Sequence, residues 1–252
     1  MNRYADQVAI VTGAARGLGL AMARRFAAEG ANVVIADVDG VALEALSSEF
    51  EETAEPKIRR DVIDVTSSQE VRRWIDGIGE EYGRVDVLVN NAGIIRDNRV
   101  EKVSDEDWRQ VIGVNLFGAF NCIRSVLPLM RDRGYGRILS FSSMSWRGNY
   151  GQANYSAAKA GVVGLTSTVA LEAARDGITV NVIAPGLIET PMLASMDSAA
   201  RAKLIARVPM RHTGDPGDVA AAAAFLCSPE AGYLTGVVLN VDGGISVGSA
   251  SR

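Results

Sequence analysis

Short β-branched runs alternate with longer stretches of helical apolar periodicity along almost the whole chain, and this alternation most limits what it can fold into. A strand, a helix and a second strand close a parallel pair by a crossover. A parallel sheet must then be covered on both faces. Val8–Thr12, Val33–Asp37, Lys57–Arg60, Val85–Asn90, Arg137–Phe141, Thr179–Ala184 and Val237–Val241 read as strands. Leu18–Glu29, Val41–Glu49, Ser68–Tyr82, Ser104–Asp132, Tyr155–Asp176 and Asp218–Ser228 read as helices, with Gly30, Gly83 and Gly177 as stops. The expected architecture is α/β: a single doubly wound domain over residues 1–252, with a seven-stranded parallel sheet and helices on both faces.

A chain of 252 residues, 48% apolar and 22% charged, can bury a core without disulfide or metal staples. Cys122 and Cys227 lie in apolar stretches without ligand-pair spacing and read as reduced core thiols, and the single histidine, His212, excludes His-rich zinc chemistry. The formal charge is -4 with no basic tract, so nucleic acid is not an expected partner. The first residues run into a strand without a signal-type apolar region, and no apolar run approaches the ~18 residues of a membrane span. A cytoplasmic protein with no membrane partner and no metal is expected. Only Gly186–Pro216 leaves the alternation; it follows a strand's C-terminal end, where such sheets bind ligands, and is expected to form a substrate lid at about 187–215.

The first strand leads into Gly13-Ala14-Ala15-Arg16-Gly17-Leu18-Gly19 and then an amphipathic helix. Such glycines permit a sharp turn and let backbone amides and a helix N-terminus approach a pyrophosphate. Asp37 ends the second strand about 20 residues beyond the turn, where a carboxylate accepts from adenosine ribose hydroxyls and repels a 2′-phosphate. This favours NAD over NADP, while Arg16 is placed where a cation would help hold a phosphate, so NADP stays open.

Tyr155 and Lys159 stand one helical turn apart, on one face of a helix. An ammonium ~4 Å from a phenol gains about 4 kcal/mol at an effective dielectric of about 20, enough to bring the phenol toward neutral pH before burial opposes it. That suits a general acid–base group. A serine pair, Ser142-Ser143, ends the strand before this helix.

These elements together resemble the short-chain dehydrogenase/reductase family, from Val8 to Gly244. The likeness rests on Thr12-Gly13-Ala14-Ala15-Arg16-Gly17-Leu18-Gly19 as its cofactor turn, Asn90-Asn91-Ala92-Gly93 as its strand-four motif, and Tyr155-Ser156-Ala157-Ala158-Lys159 as its active site. The resemblance implies a Rossmann fold, a nicotinamide cofactor, a carbonyl or alcohol substrate, and a homotetramer. It makes Asp64-Val65 an adenine-contacting pair and Pro185, Gly186, Ile188 and Thr190 part of a nicotinamide-side loop. By the same likeness Tyr155 exchanges a proton with the substrate oxygen, Lys159 lowers its pKa and binds the nicotinamide ribose, and Asn115 holds a water in a proton relay. Family spacing gives Ser142 as the serine that binds the substrate oxygen, whereas strand register gives Ser143; Ser143 is favoured because loops absorb deletions more readily than strands.

Ile95-Arg96-Asp97-Asn98, Asp105-Glu106-Asp107-Trp108 and Gly151-Gln152-Ala153-Asn154-Tyr155 are most similar to 3-oxoacyl carrier-protein reductases. Those generally use NADPH and dock an acidic carrier through two arginines, where this chain has Gly134 and Asp176, with Arg133 and Arg175 adjacent. Ile94, Met144, Trp146, Tyr150, Leu187, Met192 and Met196 are expected to give an apolar pocket edge. The favoured expectation is an NAD-preferring dehydrogenase or reductase of ketones and secondary alcohols. The alternatives are an NADPH-dependent 3-oxoacyl carrier-protein reductase and a non-catalytic nucleotide-sensing module.

Overall fold

The structure, a computed structural model, describes residues 2–47, 49, 58–189, 193 and 196–247. Strands β1 (Val8–Thr12), β2 (Asn32–Asp37), β3 (Ile58–Val62), β4 (Val87–Asn90), β5 (Gly136–Phe141), β6 (Ile178–Pro185) and β7 (Val238–Val241) form one sheet in the order β3-β2-β1-β4-β5-β6-β7. Every pairing is parallel. The expected seven-stranded doubly wound sheet is present, with strand ends displaced by at most two residues; Lys57 lies outside the described residues.

Side chains alternate between two cores, as a two-residue strand period requires. Ala9, Val11, Val33, Ile35, Val87 and Val89 face one way, toward α1 (Gly17–Ala28) and α8 (Pro216–Leu226). Val8, Ile10, Val34, Ala36 and Leu88 face the other, toward α3 (Ser68–Tyr82), α5 (Gly118–Arg133) and α6 (Ala153–Ala173). Tyr4 crosses beneath the first core, edge-on to Phe26 with ring centroids 5.1 Å apart, and its hydroxyl donates to Ala224 O.

Three elements depart from the expectations. Helix α2 covers only Gly40–Glu44, capped by Asp39, whose carboxylate accepts from Ala42 N. Ser47 and Ser48, weak helix formers, follow soon after. The helix expected over Ser104–Asp132 is α4 (Asp105–Ile112), a widened turn at Gly113–Phe117, and α5. Within that turn Asn115 Nδ2 donates to Val111 O at 2.9 Å, taking the carbonyl that an α-helix would give to Asn115's own backbone N–H. The segment Gly186–Pro216 contains a helix of its own, α7 (Ser198–Ile205), capped by Asp197.

Read as one run, Asp105–Arg133 is long and apolar enough to cross a membrane. Its Val111, Cys122, Ile123, Val126, Leu127 and Met130 are core residues, packed inside the protein.

Below the sheet, the buried Asp86 carboxylate accepts from Val8 N at 2.9 Å and from Arg84 in a forked pair at 2.7 Å. Replacing Asp86 by Ala leaves a buried amide and a partly exposed guanidinium without their acceptor and is expected to cost about 2 kcal/mol. Urea unfolding checks this; a loss below about 1 kcal/mol would mean that water or neighbours replace the carboxylate.

Candidate active site

The sheet order reverses between β1 and β4, and a crevice opens at their C-terminal ends. Thr12 and Asn91 hold its two lips together. Thr12 Oγ1 accepts from Asn91 N at 3.1 Å and Ala92 N at 3.2 Å, while Asn91 Nδ2 donates to Thr12 O at 3.0 Å and Gly13 O at 2.8 Å. A Cβ at Gly13 would lie 2.7 Å from Ala92 Cα, and one at Gly19 would lie 2.3 Å from Gly13 O, so both glycines are required by close packing. Gly17 differs: at φ +59 it faces open space, leaving a gap over the N-terminus of α1 beside Leu18. That is the geometry a pyrophosphate needs, and the turn fits a dinucleotide.

Asp37 is fixed at the mouth of β2. Its carboxylate accepts from Ala15 N and Asp39 N, each at 3.1 Å. Arg16 is paired with Asp39 across the turn. The Ala42 amide, and after it Arg16, hold the Asp39 carboxyl below its ordinary range. The ribose end therefore carries two carboxylates against one guanidinium. On the adenine side, exposed Asp64 accepts from Thr66 N and Thr66 Oγ1, and buried Val65 packs where a Cβ at Gly118 would lie 2.6 Å from its Cγ2.

The second half of the site gathers at the ends of β4 and β5. Tyr155 projects from the first turn of α6, and the Ser143 hydroxyl lies close enough to its phenol to favour ionisation. Ser142 points elsewhere: it is buried and donates to Lys159 O at 3.0 Å. Lys159 is buried, donates to Phe141 O at 2.8 Å, and stands 5.5 Å from the centroid of the Tyr155 ring. Beneath them Asn115 donates to Ile94 O and Val111 O, each at 2.9 Å, which leaves its buried Oδ1 without a partner. A Cβ at Gly93 would lie 2.6 Å from that Oδ1 and 3.5 Å from Lys159 Nζ, so Gly93 is the floor under which the two polar groups approach.

Burial governs the titration of this cluster. Desolvation lowers the Lys159 ammonium to about 8. It also raises the Tyr155 phenol above its ordinary value, with Ser143 lowering it and the Asp97 carboxylate raising it further. The expected lowering of the phenol by the amine does not prevail: burial raises the phenol, and the amine, buried too, is itself pushed toward neutrality.

Of the remaining expected residues, Gly186 N donates to Val241 O at 2.9 Å just beyond Pro185, and Ile188 is buried and bridges to Gly214. Thr190 and Met192 lie outside the described residues. Tyr150 is largely exposed. Gln152, Ser145 and Asp97 carry no role that the sequence reveals by itself, yet Gln152 joins the other two by hydrogen bonds near Tyr155. The signal for Gln152 and Asp97 lay in the two segments, Ile95–Asn98 and Gly151–Tyr155, that resemble the carrier-protein reductases.

Two outcomes follow from the geometry. Gly17→Ala is expected to weaken dinucleotide binding at least tenfold, because its Cβ enters the open gap, and to lose about 1 kcal/mol of stability from an alanine held at φ +59; Gly19→Ala is expected to lose clearly more stability, by the 2.3 Å clash with backbone. Equal effects in fluorescence titration and thermal melts would show that the gap is not the phosphate seat. Because folding depresses the Lys159 pKa to about 8 from an unfolded value of ~10.4, burying it is fully unfavourable below pH 8 and the cost fades toward pH 10. Lys159→Met is therefore expected to raise stability at pH 7 by roughly 2–3 kcal/mol and flatten its rise between pH 8 and 10. A variant that is no more stable at pH 7 would contradict the burial.

Residues 13–246 match a family model described as enoyl-(acyl carrier protein) reductase. The chain is 42% identical over 246 residues to the 3-oxoacyl-[acyl-carrier-protein] reductase FabG of Thermotoga maritima, covering 97% of this chain and 100% of the relative. It is 41% identical over 242 residues to the (2S)-[(R)-hydroxy(phenyl)methyl]succinyl-CoA dehydrogenase subunit BbsD of Thauera aromatica, covering 96% of this chain and 97% of the relative. It is 40% identical over 243 residues to FabG of Escherichia coli, covering 96% and 98%. With this fold and crevice, the chain belongs to the short-chain dehydrogenase/reductase family and is an oxidoreductase acting on CH–OH groups.

Proposed function

We propose that the chain interconverts a ketone and a secondary alcohol on an acyl thioester, using a nicotinamide cofactor with NAD preferred over NADP. The meeting of Ser143, Tyr155 and Lys159 over Gly93 and Asn115, in the crevice that also holds the glycine turn, carries this reading. A bound nicotinamide supplies or takes up the hydride. Ser143 holds the substrate oxygen and stabilises the charge that develops on it. Tyr155 gives that oxygen a proton in reduction and removes it in oxidation. Lys159 is poised near neutral pH to bind the nicotinamide ribose and to recharge the phenol, and the unpartnered Asn115 Oδ1 suits a water that links Lys159 to solvent.

The relatives' names move the substrate from a free ketone toward a thioester. Two are reductases of 3-oxoacyl groups on a carrier protein, and the third is a dehydrogenase of a hydroxyl-bearing acyl-CoA. Part-buried Ile94, Met144, Trp146 and Leu187 suit an apolar acyl chain. Residues 1–252 act as a single unit in this reading, a cytoplasmic homotetramer, with 187–215 as the substrate lid. Leu187 O accepting from Gly214 N at 3.0 Å and Arg201 pairing with Glu189 at 2.6 Å support a lid pinned at its base.

A second reading, an NADPH-dependent 3-oxoacyl carrier-protein reductase, is favoured by those same names. Against it stand the carboxylate excess at Asp37 and Asp39, and Asp176, which pairs with Arg131 at 2.8 Å where a carrier-docking arginine is absent. Steady-state kinetics with NADH and NADPH on acetoacetyl-CoA and on simple ketones separates the readings. We expect kcat/KM to favour NADH and the thioester at least tenfold each. Tyr155→Phe should lose about 10³-fold in kcat and Ser143→Ala about 10²-fold, with Ser142→Ala close to unchanged. A preference for NADPH selects the second reading; activity unchanged in Tyr155→Phe overturns both.

A further inference from the structure

The loop after β4 and the first turn of α6 are stitched together beside Tyr155. Asn98 N donates to Gly151 O at 2.8 Å, and Asn154 Nδ2 donates to Arg96 O at 3.1 Å. Between these, Gln152 Nε2 donates to both Asp97 oxygens, at 3.0 and 2.9 Å. The Gln152 carbonyl oxygen accepts from Ser145 Oγ at 2.8 Å and Asn149 Nδ2 at 2.9 Å. The two oxygens of one carboxylate subtend too small an angle at Nε2 to take both amide hydrogens, so Asp97 shares one N–H, while both lone pairs of the carbonyl oxygen are filled on this buried side chain. What it does is hold other groups in place.

We propose that Gln152 and Asp97 are positioning residues: the Gln152 amide clamps the Asp97 carboxylate and the Ser143–Asn149 segment to the turn that carries Tyr155. The clamp fixes the turn that carries the phenol and, with it, the position of the Asp97 charge relative to Tyr155. This deepens the reading of Tyr155 as the proton donor and rests on it.

The charged groups on the elements around Tyr155 are Lys159 on its own helix, Arg96, Asp97, Arg99, Glu101 and Lys102 after β4, Asp105, Glu106, Asp107 and Arg109 on α4, Arg147 after β5, and Glu189 with Arg201 at the lid; Arg99 pairs with Glu101 and Arg109 with Asp105. Several more are engaged elsewhere. Arg147 lies over the Trp146 ring and donates to Ser246 O, Arg96 stands 3.9 Å from Asp107, and Glu189 pairs with Arg201. Lys159, though near the ring, donates to Phe141 O. Asp97 is the charge that acts on the phenol, raising it as burial does. A fixed anion disfavours the phenolate, so the clamp keeps Tyr155 protonated and favours proton donation, the reducing direction, at neutral pH.

Tyrosinate absorbance titration tests this without turnover. The Tyr155 signal is the difference between the full chain and its Tyr155→Phe variant, measured with Asp97 intact and in an Asp97→Asn background. Asn keeps an acceptor for Gln152 and removes the charge. The Tyr155 midpoint is expected to fall by about half a pH unit or more in Asp97→Asn, with Tm unchanged. Asp97→Glu should restore most of the shift. Gln152→Leu, which releases Asp97, should lower the midpoint partway and cut kcat about tenfold at nearly constant KM. In reduction, the alkaline loss of rate should begin earlier in Asp97→Asn by the same interval. An unchanged midpoint in Asp97→Asn overturns the clamp even if the enzyme reduces thioesters normally. A lowered midpoint in a chain that reduces no carbonyl leaves the clamp's electrostatics standing and removes the reading of Tyr155 as proton donor.

Discussion

The clasp between Thr12 and Asn91 is the interaction on which the working end of the molecule depends. Parallel strands β1 and β4 are neighbours in space but 70 residues and more apart in sequence, and their C-terminal ends must stay together for the crevice to exist. One hydroxyl and one carboxamide tie the two chain ends by four hydrogen bonds, and Gly13 allows the backbones to meet. Everything that follows β1 or β4, the glycine turn on one side and Gly93 on the other, inherits its position from that tie.

The polar groups deeper in the crevice are held against their own interest in water. A buried lysine and an asparagine with an orphaned oxygen each oppose folding at neutral pH. The two apolar cores on either face of the sheet supply the stability that tolerates them. The widened turn at Gly113–Phe117 belongs to the same logic: the helix gives up regular hydrogen bonding so that Asn115 can face Lys159 beneath Gly93.

The fold was legible because its signals are local and periodic: β-branched runs for the strands, and Gly83 and Gly177 at positive φ ending helical stretches. The widened turn at Asn115 and helix α7 were not, since the first arises from a side chain competing for one carbonyl and the second carries no apolar face to read. In the site, the spacing of Tyr155 and Lys159 is written in the chain, and register arguments chose between Ser142 and Ser143. What spacing cannot carry is the balance between burial and charge, so the phenol stands above its ordinary value where the pair alone suggested the reverse. Nor does it show that Gln152 joins Asp97, 55 residues away, to Ser145 and Asn149, because that network exists only once two loops meet.

A crystal structure of the chain with NAD bound tests the central claim most directly. The account predicts ribose hydroxyls on the Asp37 carboxylate, the pyrophosphate over Gly17, and the nicotinamide beside Tyr155 and Ser143 with Lys159 Nζ on its ribose. A dinucleotide seated away from the Gly13–Gly19 turn, or a nicotinamide ring out of reach of Tyr155, would contradict it.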